Sequence, residues 1–283
     1  FQKTKIHLNP TELNLVVKLQ NPRVLVKKNE IILSKLDLFL PLRSFFTSDF
    51  LLKRSEVAFI RNDIKDLTKI TNIFLPKIIN KKIEKIFSKG QIEGVFIIPF
   101  DADGNIGKDY GFSGKVLDAS INVTKEYHIK NLTSEINHTR DGEANVFNIT
   151  IKKGSLLGFD LTDSTFALRR ENKEIDIKSL LKTSGEFDFS RVKKISSLLN
   201  INISNINDFK GKTDLKTNVD LKLNNKYKIK RLHYSIDGEI PYTEIYFKEK
   251  KIIKRYLPNY DNLIVLKDSK IKFTKKDSNN TIE

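Results

Sequence analysis

The sequence predicts a mainly β fold in which one antiparallel sheet is extended hairpin by hairpin. An apolar run over residues 92–100 is followed by the turn residues Asp103 and Gly104 and by an alternating run over residues 109–123, which is the pattern of a β-hairpin. Four apolar side chains of the second run are expected to share one face: Leu117, Ala119, Ile121 and Val123. Turn signals recur at three further places: Asp141 with Gly142, Asn224 with Asn225, and Asp237 with Gly238.

Other strands are predicted on both sides of this hairpin. Before it, short apolar runs indicate strands over residues 13–19, 24–26, 31–40 and 52–61. After it, strands are expected over residues 127–138, 145–152, 155–168, 173–178, 183–189, 209–223, 226–236, 242–249, 252–256, 263–267 and 271–274, with a short helix over 190–200. Alternation is most regular in residues 215–223, where one face is expected to carry Leu215, Val219, Leu221 and Leu223.

Residues 63–89 change to helical spacing and are predicted to form an amphipathic helical insertion. Asp63 stands at an N-cap position, Gly90 follows the last turn, and Pro76 is expected to kink the helix. One interpretation is a helix that docks on the core, and the other is a basic helix that rests on anionic lipid headgroups. The membrane-surface candidates are Lys77, Lys81, Lys82 and Lys85.

The insertion divides the chain into three parts. We expect an N-terminal β segment over residues 1–62, the helical insertion over 63–89, and a repeating antiparallel segment over 90–283 that is continuous with the first. The chain contains no Met, so Phe1 is not a natural start, and we expect a piece of a longer protein. Its longest apolar candidate, residues 31–42, is shorter than the roughly 20 residues of a spanning helix and is interrupted by Lys35 and Asp37.

Composition limits the chemistry. The 283-residue chain lacks Cys, which excludes disulfides, thiolate metal sites and a cysteine nucleophile. The acidic loop from Asp101 to Asp109 lacks the Gly and Glu of a calcium-binding EF-hand and is interpreted as a plain turn. The four histidines lack metal-ligand spacing, and neither a nucleophile elbow nor a phosphate loop occurs. We therefore expect no enzyme activity, no metal and no cofactor.

The net charge of +16 raises nucleic acid or anionic lipid as partners. Because the lysines are spread along the whole chain, a solvated surface is favoured over a phosphate-binding patch. The basic stretch 248–255 has Ile252 and Ile253 at its centre, which favours an edge strand protected by lysines over a strip for single-stranded nucleic acid. Nucleic acid is therefore not an expected partner.

Two stretches of the sequence resemble the AsmA-like superfamily. Residues 32–62, ILSKLDLFLPLRSFFTSDFLLKRSEVAFIRN, resemble its amino-terminal pattern of a strand, a Leu/Phe-rich turn and a second strand. The segments KGQIEGVFIIPFDADGNIGKDYGFSGKVLDASINV and YKIKRLHYSIDGEI are similar to rungs of its strand ladders.

The resemblance implies an elongated, twisted antiparallel sheet curled into a half-pipe groove, interrupted by the kinked insertion and the short second helix. It also implies the periplasmic part of a protein anchored in the inner membrane of a Gram-negative envelope. The implied function is non-enzymatic phospholipid transfer between the inner and possibly the outer membrane, with acyl chains held on the apolar face; protein partners are not specified. The eight residues Leu117, Ala119, Ile121, Val123, Leu215, Val219, Leu221 and Leu223 are the candidates for the groove lining.

Two other functions remain open from the sequence. One is a structural or assembly scaffold for outer-membrane proteins that acts through exposed strand edges. The other is a closed β-sandwich that binds a polyanion.

Overall fold

A computed structural model confirms the mainly β class and the large antiparallel sheet. The structure describes residues 3–26, 29–46, 51–66, 85–107, 109–122, 127–199, 202–226, 228–248, 251–276 and 279–282. Among these residues no helix is long and apolar enough to cross a membrane. The predicted kink at Pro76 and the side chains of Lys77, Lys81 and Lys82 lie outside the described residues.

The strands are numbered in chain order. The first eight are β1 Lys3–Asn9, β2 Asn14–Gln20, β3 Arg23–Val26, β4 Asn29–Pro41, β5 Arg54–Asp63, β6 Phe87–Pro99, β7 Gly111–Asn122 and β8 His128–Asp141. The others are β9 Ala144–Leu156, β10 Phe159–Asp160, β11 Thr165–Glu171, β12 Glu174–Asp188, β13 Ile206–Leu223, β14 Ile229–Phe247, β15 Leu263–Lys276 and β16 Asn279–Ile282. A 3₁₀ turn spans Leu42–Phe45, and the helices are α1 Phe189–Leu199 and α2 Lys251–Tyr256.

The sheet follows chain order almost without crossovers. Its hydrogen-bonded path runs β1-β2-β4-β5-β6-β7-β8-β9-β10-β12-β13-β14-β15-β16, while β11 pairs with both β9 and β12. Strand β5 pairs directly with β6, so the parts of the chain before and after the insertion belong to one sheet. Within the described residues β1 pairs only with β2 and β16 only with β15, and the path is therefore open at both ends.

Several predicted elements are corrected by the structure. Helix α1 is confirmed, but residues 252–256, predicted as a strand, lie in helix α2. The predicted strand 155–168 is divided among β9, β10 and β11, because Leu157 and Asp163 adopt positive φ in two turns. Pairs of short predicted strands merge instead into the long strands β12, β14 and β15.

Strand register separates two faces that differ in chemistry. The apolar face is the one that carries Val116, Ile136, Ile149, Leu168 and Val219, and the polar face is its opposite. On the polar face, Glu93, Lys115 and Glu135 are consecutive cross-strand partners. Further along, the Arg231 guanidinium lies 2.7 Å from Asp220 Oδ1. Charged pairs are therefore frequent on one side of the sheet, and hydrocarbon side chains predominate on the other.

One end of the apolar face is covered and forms a packed core. Its buried residues are Ile64, Val116, Ala119, Leu132, Ile151 and Leu161. Ile64 lies in the helical residues that open the insertion, so the start of the insertion docks on the core. Helix α1 covers the neighbouring strands, where the Tyr127 hydroxyl donates to the Lys194 carbonyl at 3.4 Å and Val192 contributes to a cavity of about 220 Å³ with Phe187 and Phe209.

Candidate functional site: the apolar face of the sheet

A row of cross-strand neighbours crosses the apolar face from β2 to β14. We call it the long apolar row. Each member is the register partner of the next, and the side chains of such partners stand side by side on one face. The members are Leu19, Leu36, Val57, Phe96, Phe112, His138, Phe147, Leu168, Ile177, Leu221 and Leu232. Ten steps of about 4.8 Å between strands make the row about 48 Å long.

Aromatic rings form the centre of this row. The Phe96 and Phe112 ring centroids lie 4.6 Å apart, and Phe59, which lies beside the row on β5, has its ring centroid 5.9 Å from that of Phe96. The adjacent positions Gly94 and Gly114 are cross-strand partners without side chains, and the Phe112 ring occupies the space that a Cβ would need at either glycine. The glycines thus allow the Phe112 ring to lie over the backbone of β6 and β7, where a larger residue would displace it.

His138 is the one titratable side chain of the long apolar row. It is 3% exposed, its ring lies 4.4 Å from that of Phe147 and 5.0 Å from that of Tyr110, and its Nε2 is 3.2 Å from Asn145 Oδ1. The amide oxygen pairs with one ring nitrogen, and the ring packs as an aromatic member of the row.

A second row lies beside the first on the same face. It runs through Leu33, Phe59, Gly94, Gly114, Ile136, Ile149, Phe166, Ser179, Val219, Tyr234 and Lys275. Tyr234 packs against Phe273 with ring centroids 5.6 Å apart. Between Leu33 and Tyr234 this row adds mainly apolar side chains beside the first, and it ends at Lys275 on β15.

Seven of the eight predicted lining residues fall into three groups. Val219 and Leu221 lie in these rows, and Leu215 and Leu223 lie on the same face of β13 because its register with β12 is uninterrupted. Ala119, fully buried, and Ile121, packed against it, belong to the covered core. Val123 lies outside the described residues.

The predicted position of Leu117 is wrong. Its register partner is Gln91, which lies on the polar face with Glu93. Val116 and Ala119 instead pair with Ser134 and Leu132, which lie on the apolar face. A bulge at Asp118, with φ 48°, inserts one residue between them and reverses the alternation. Leu117 therefore points to the polar face.

Of the four lysines predicted as membrane-surface candidates, Lys85 is the one within the described residues, and it is exposed.

Sequence reasoning missed most of the long apolar row. Phe96, Phe112 and Phe147 stand in strands that were predicted, but their alignment depends on register. Register could be estimated only from turn length, and bulges in β6, β7 and β8 change it.

The titratable groups with shifted pKa values lie on the polar face. Hydrogen bonds from Lys230 and Lys222 lower the pKa of the Glu174 carboxyl to about 2, and hydrogen bonds from the Tyr242 and Tyr246 hydroxyls lower the pKa of Glu244. The Glu174 contacts are surface ion pairs between strands, whereas Glu244 and its two tyrosines all lie in β14. Among the described residues there is no group of three or more His, Asp or Glu side chains that could hold a metal.

Comparison with known proteins adds no relative, since no family model, no curated protein and no solved structure matches the chain.

Proposed function

We propose that this chain is a non-enzymatic lipid-binding and lipid-transfer segment of the AsmA-like type, in which the apolar face holds phospholipid acyl chains. The sheet is proposed to curl into a half-pipe with this face inside, in the periplasm of a Gram-negative envelope between inner and outer membrane. The long apolar row is the observation that carries the proposal. Its length of about 48 Å is roughly three times the 15 Å depth of one bilayer leaflet, so the apolar face has room for more than one acyl chain.

The chemistry of the row favours chains over headgroups as its ligand. Burial of each methylene contributes about 0.8 kcal/mol and is not directional. Ten of the eleven members of the row are hydrocarbon side chains and the other is the packed His138 ring, so an acyl chain bound at one strand meets a similar surface at the next. Such a surface supports sliding across the strands without a change in bonding.

The test compares two adjacent residues of β6 that lie on opposite faces. Phe96 on the apolar face and Val95 on the polar face are 39% and 37% exposed, so the two side chains are equally accessible to solvent. The protein is purified without detergent, and lipids are counted by native mass spectrometry and organic extraction. We expect Phe96→Asn to lower lipid occupancy and Val95→Asn to leave it unchanged. A wild-type protein that carries no lipid, even after incubation with phospholipid vesicles, would contradict the proposal.

An envelope scaffold remains the second candidate because of strand β1. Its outer edge has no partner strand among the described residues, and its side chains Ile6 and Leu8 are 62% and 52% exposed. An exposed edge of this kind accepts a further strand. Replacing Ile6 by Pro removes a backbone donor from β1. If this variant no longer binds an outer-membrane protein that the wild type binds, while its lipid occupancy stays normal, the scaffold function is favoured.

A further inference from the structure

Two arginines stand at the border of the apolar face. Arg140, Asn145, Arg170 and Ile175 are consecutive register partners on β8, β9, β11 and β12. Each lies two residues from a member of the long apolar row in its own strand, and so on the same face. We call these four residues the border row. Two residues along the strands from the long apolar row, the apolar face therefore carries positive charge.

Two of the neighbouring acidic groups, Asp141 and Glu171, are engaged on the polar face. Arg169, next in sequence to Arg170, lies 2.6 Å from Asp141 Oδ2 and 3.2 Å from Glu171 Oε2. Arg170 is exposed and forms no ion pair with any residue in the described part of the chain. Arg140 is held at the end of β8, where its Nε donates to the Gly142 carbonyl at 2.8 Å and lies 3.6 Å from Asp109 Oδ1.

We propose that Arg140, Asn145 and Arg170 form a phosphate-binding subsite for the headgroup of an anionic phospholipid; this inference rests on the proposed function. The two arginines are separated by two strand spacings, roughly 10 Å between backbones, and long side chains from both sides reach a ligand above Asn145. Guanidinium groups bind phosphate with paired, charge-assisted hydrogen bonds. The Asn145 amide adds a neutral donor between them.

The surface below this subsite has the depth of an acyl chain. Along β9 the apolar face presents Phe147, then Ile149, then Ile151, and the last of these belongs to the buried core. Three steps of two residues cover about 20 Å, compared with roughly 15 Å for one leaflet of a bilayer. A lipid with its phosphate at the arginines therefore lays its chains along β9, β11 and β12 and ends at the covered core.

The experiment measures two lipids with equal chains and different headgroups. Dioctanoyl phosphatidylglycerol carries an anionic phosphate, and dioctanoylglycerol has the same chains without it. Binding of each to the full chain is followed by isothermal titration calorimetry. Arg170→Gln is the test variant, and Lys178→Gln is its matched control, because Lys178 is also exposed but lies on the polar face of the adjacent strand β12.

We expect the wild-type protein to bind the phosphatidylglycerol more tightly than the diacylglycerol. Arg170→Gln should weaken phosphatidylglycerol binding by roughly two- to five-fold, the range for an exposed ionic contact, and leave diacylglycerol binding unchanged. Lys178→Gln should change neither.

Two other results would be decisive. If Arg170→Gln lowers the affinity for both lipids equally, or lowers neither affinity, the headgroup subsite is overturned while lipid binding stands. Failure of the wild-type protein to bind both lipids would instead overturn the proposed function itself. Arg140→Gln gives a second measurement at the same subsite, with circular dichroism to check that the hairpin is retained.

Discussion

Val116 and Ala119 are three residues apart in β7, yet both side chains enter the same buried core. In a regular strand they would lie on opposite faces. The residue that reverses the alternation is Asp118, which has φ 48° and forms a bulge. Because Ala119 is fully buried, the bulge decides which residues of this strand stabilise the protein.

The bulge gives the first prediction, which concerns Asp118. Asp and Asn tolerate the left-handed region, whereas a β-branched residue does not. We expect Asp118→Val to lower the free energy of unfolding by about 1 to 2 kcal/mol and Asp118→Asn to leave it nearly unchanged. Urea unfolding followed by circular dichroism checks this, and equal stability of the two variants would show that the bulge is unimportant.

The second prediction separates the covered part of the apolar face from the polar face. Ile121 is partly buried against the core cluster, so Ile121→Asp places a charge without a partner there and should lower the free energy of unfolding by about 2 to 3 kcal/mol. Ile97, 44% exposed on the polar face, is the control, and its replacement by Asp should cost roughly 0.5 kcal/mol or less. Thermal or urea unfolding distinguishes them. Similar losses for both would mean that Ile121 does not lie in a core.

The third prediction concerns the glycines beneath the aromatic stack. A methyl group at Gly114 would overlap the Glu93 carbonyl oxygen and the Phe112 ring, whereas at Gly111 the nearest atom is the His138 carbonyl oxygen at 3.6 Å. We therefore expect Gly114→Ala to destabilise the protein by about 1 to 3 kcal/mol and Gly111→Ala to be neutral or stabilising. Denaturant midpoints for the two variants of β7 test this, and the reverse order would contradict the ring placement.

The fourth prediction is a pH dependence at Glu174. Hydrogen bonds from Lys230 and Lys222 (the latter at 2.9 Å) lower the pKa of this carboxyl from 4.5 to about 2. A lowered folded-state pKa means that its stabilisation is present above the unfolded pKa near 4.5 and is lost as the pH falls through about 2. Glu174→Gln should therefore be less stable than wild type at pH 7 and equal to it below pH 2.

The effect at Glu174 should be small and should shrink in high salt, because the group is exposed. Urea midpoints at several pH values, each at low and high salt, provide the measurement. A difference between variant and wild type that persists unchanged below pH 2 would exclude the ion pairs as its cause.

The sequence by itself determined the β class, the antiparallel order of most strands and helix α1. These follow from local signals: alternation with period two, turn dipeptides and the helical spacing of Val192 and its neighbours. The same alternation identified Val219 and Leu221 as residues of one face, because no bulge interrupts β13 against β12.

Only the tertiary structure decided how the strands align. Leu117 was misplaced because the positive φ of Asp118 has no reliable local signal, and one inserted residue moves every following side chain to the other face. Alignment also brought together residues far apart in sequence, as in the step from Leu36 through Val57 to Phe96. The border arginines illustrate the same point, since Arg140 and Arg170 are neighbours only through the register of β9 with both of their strands.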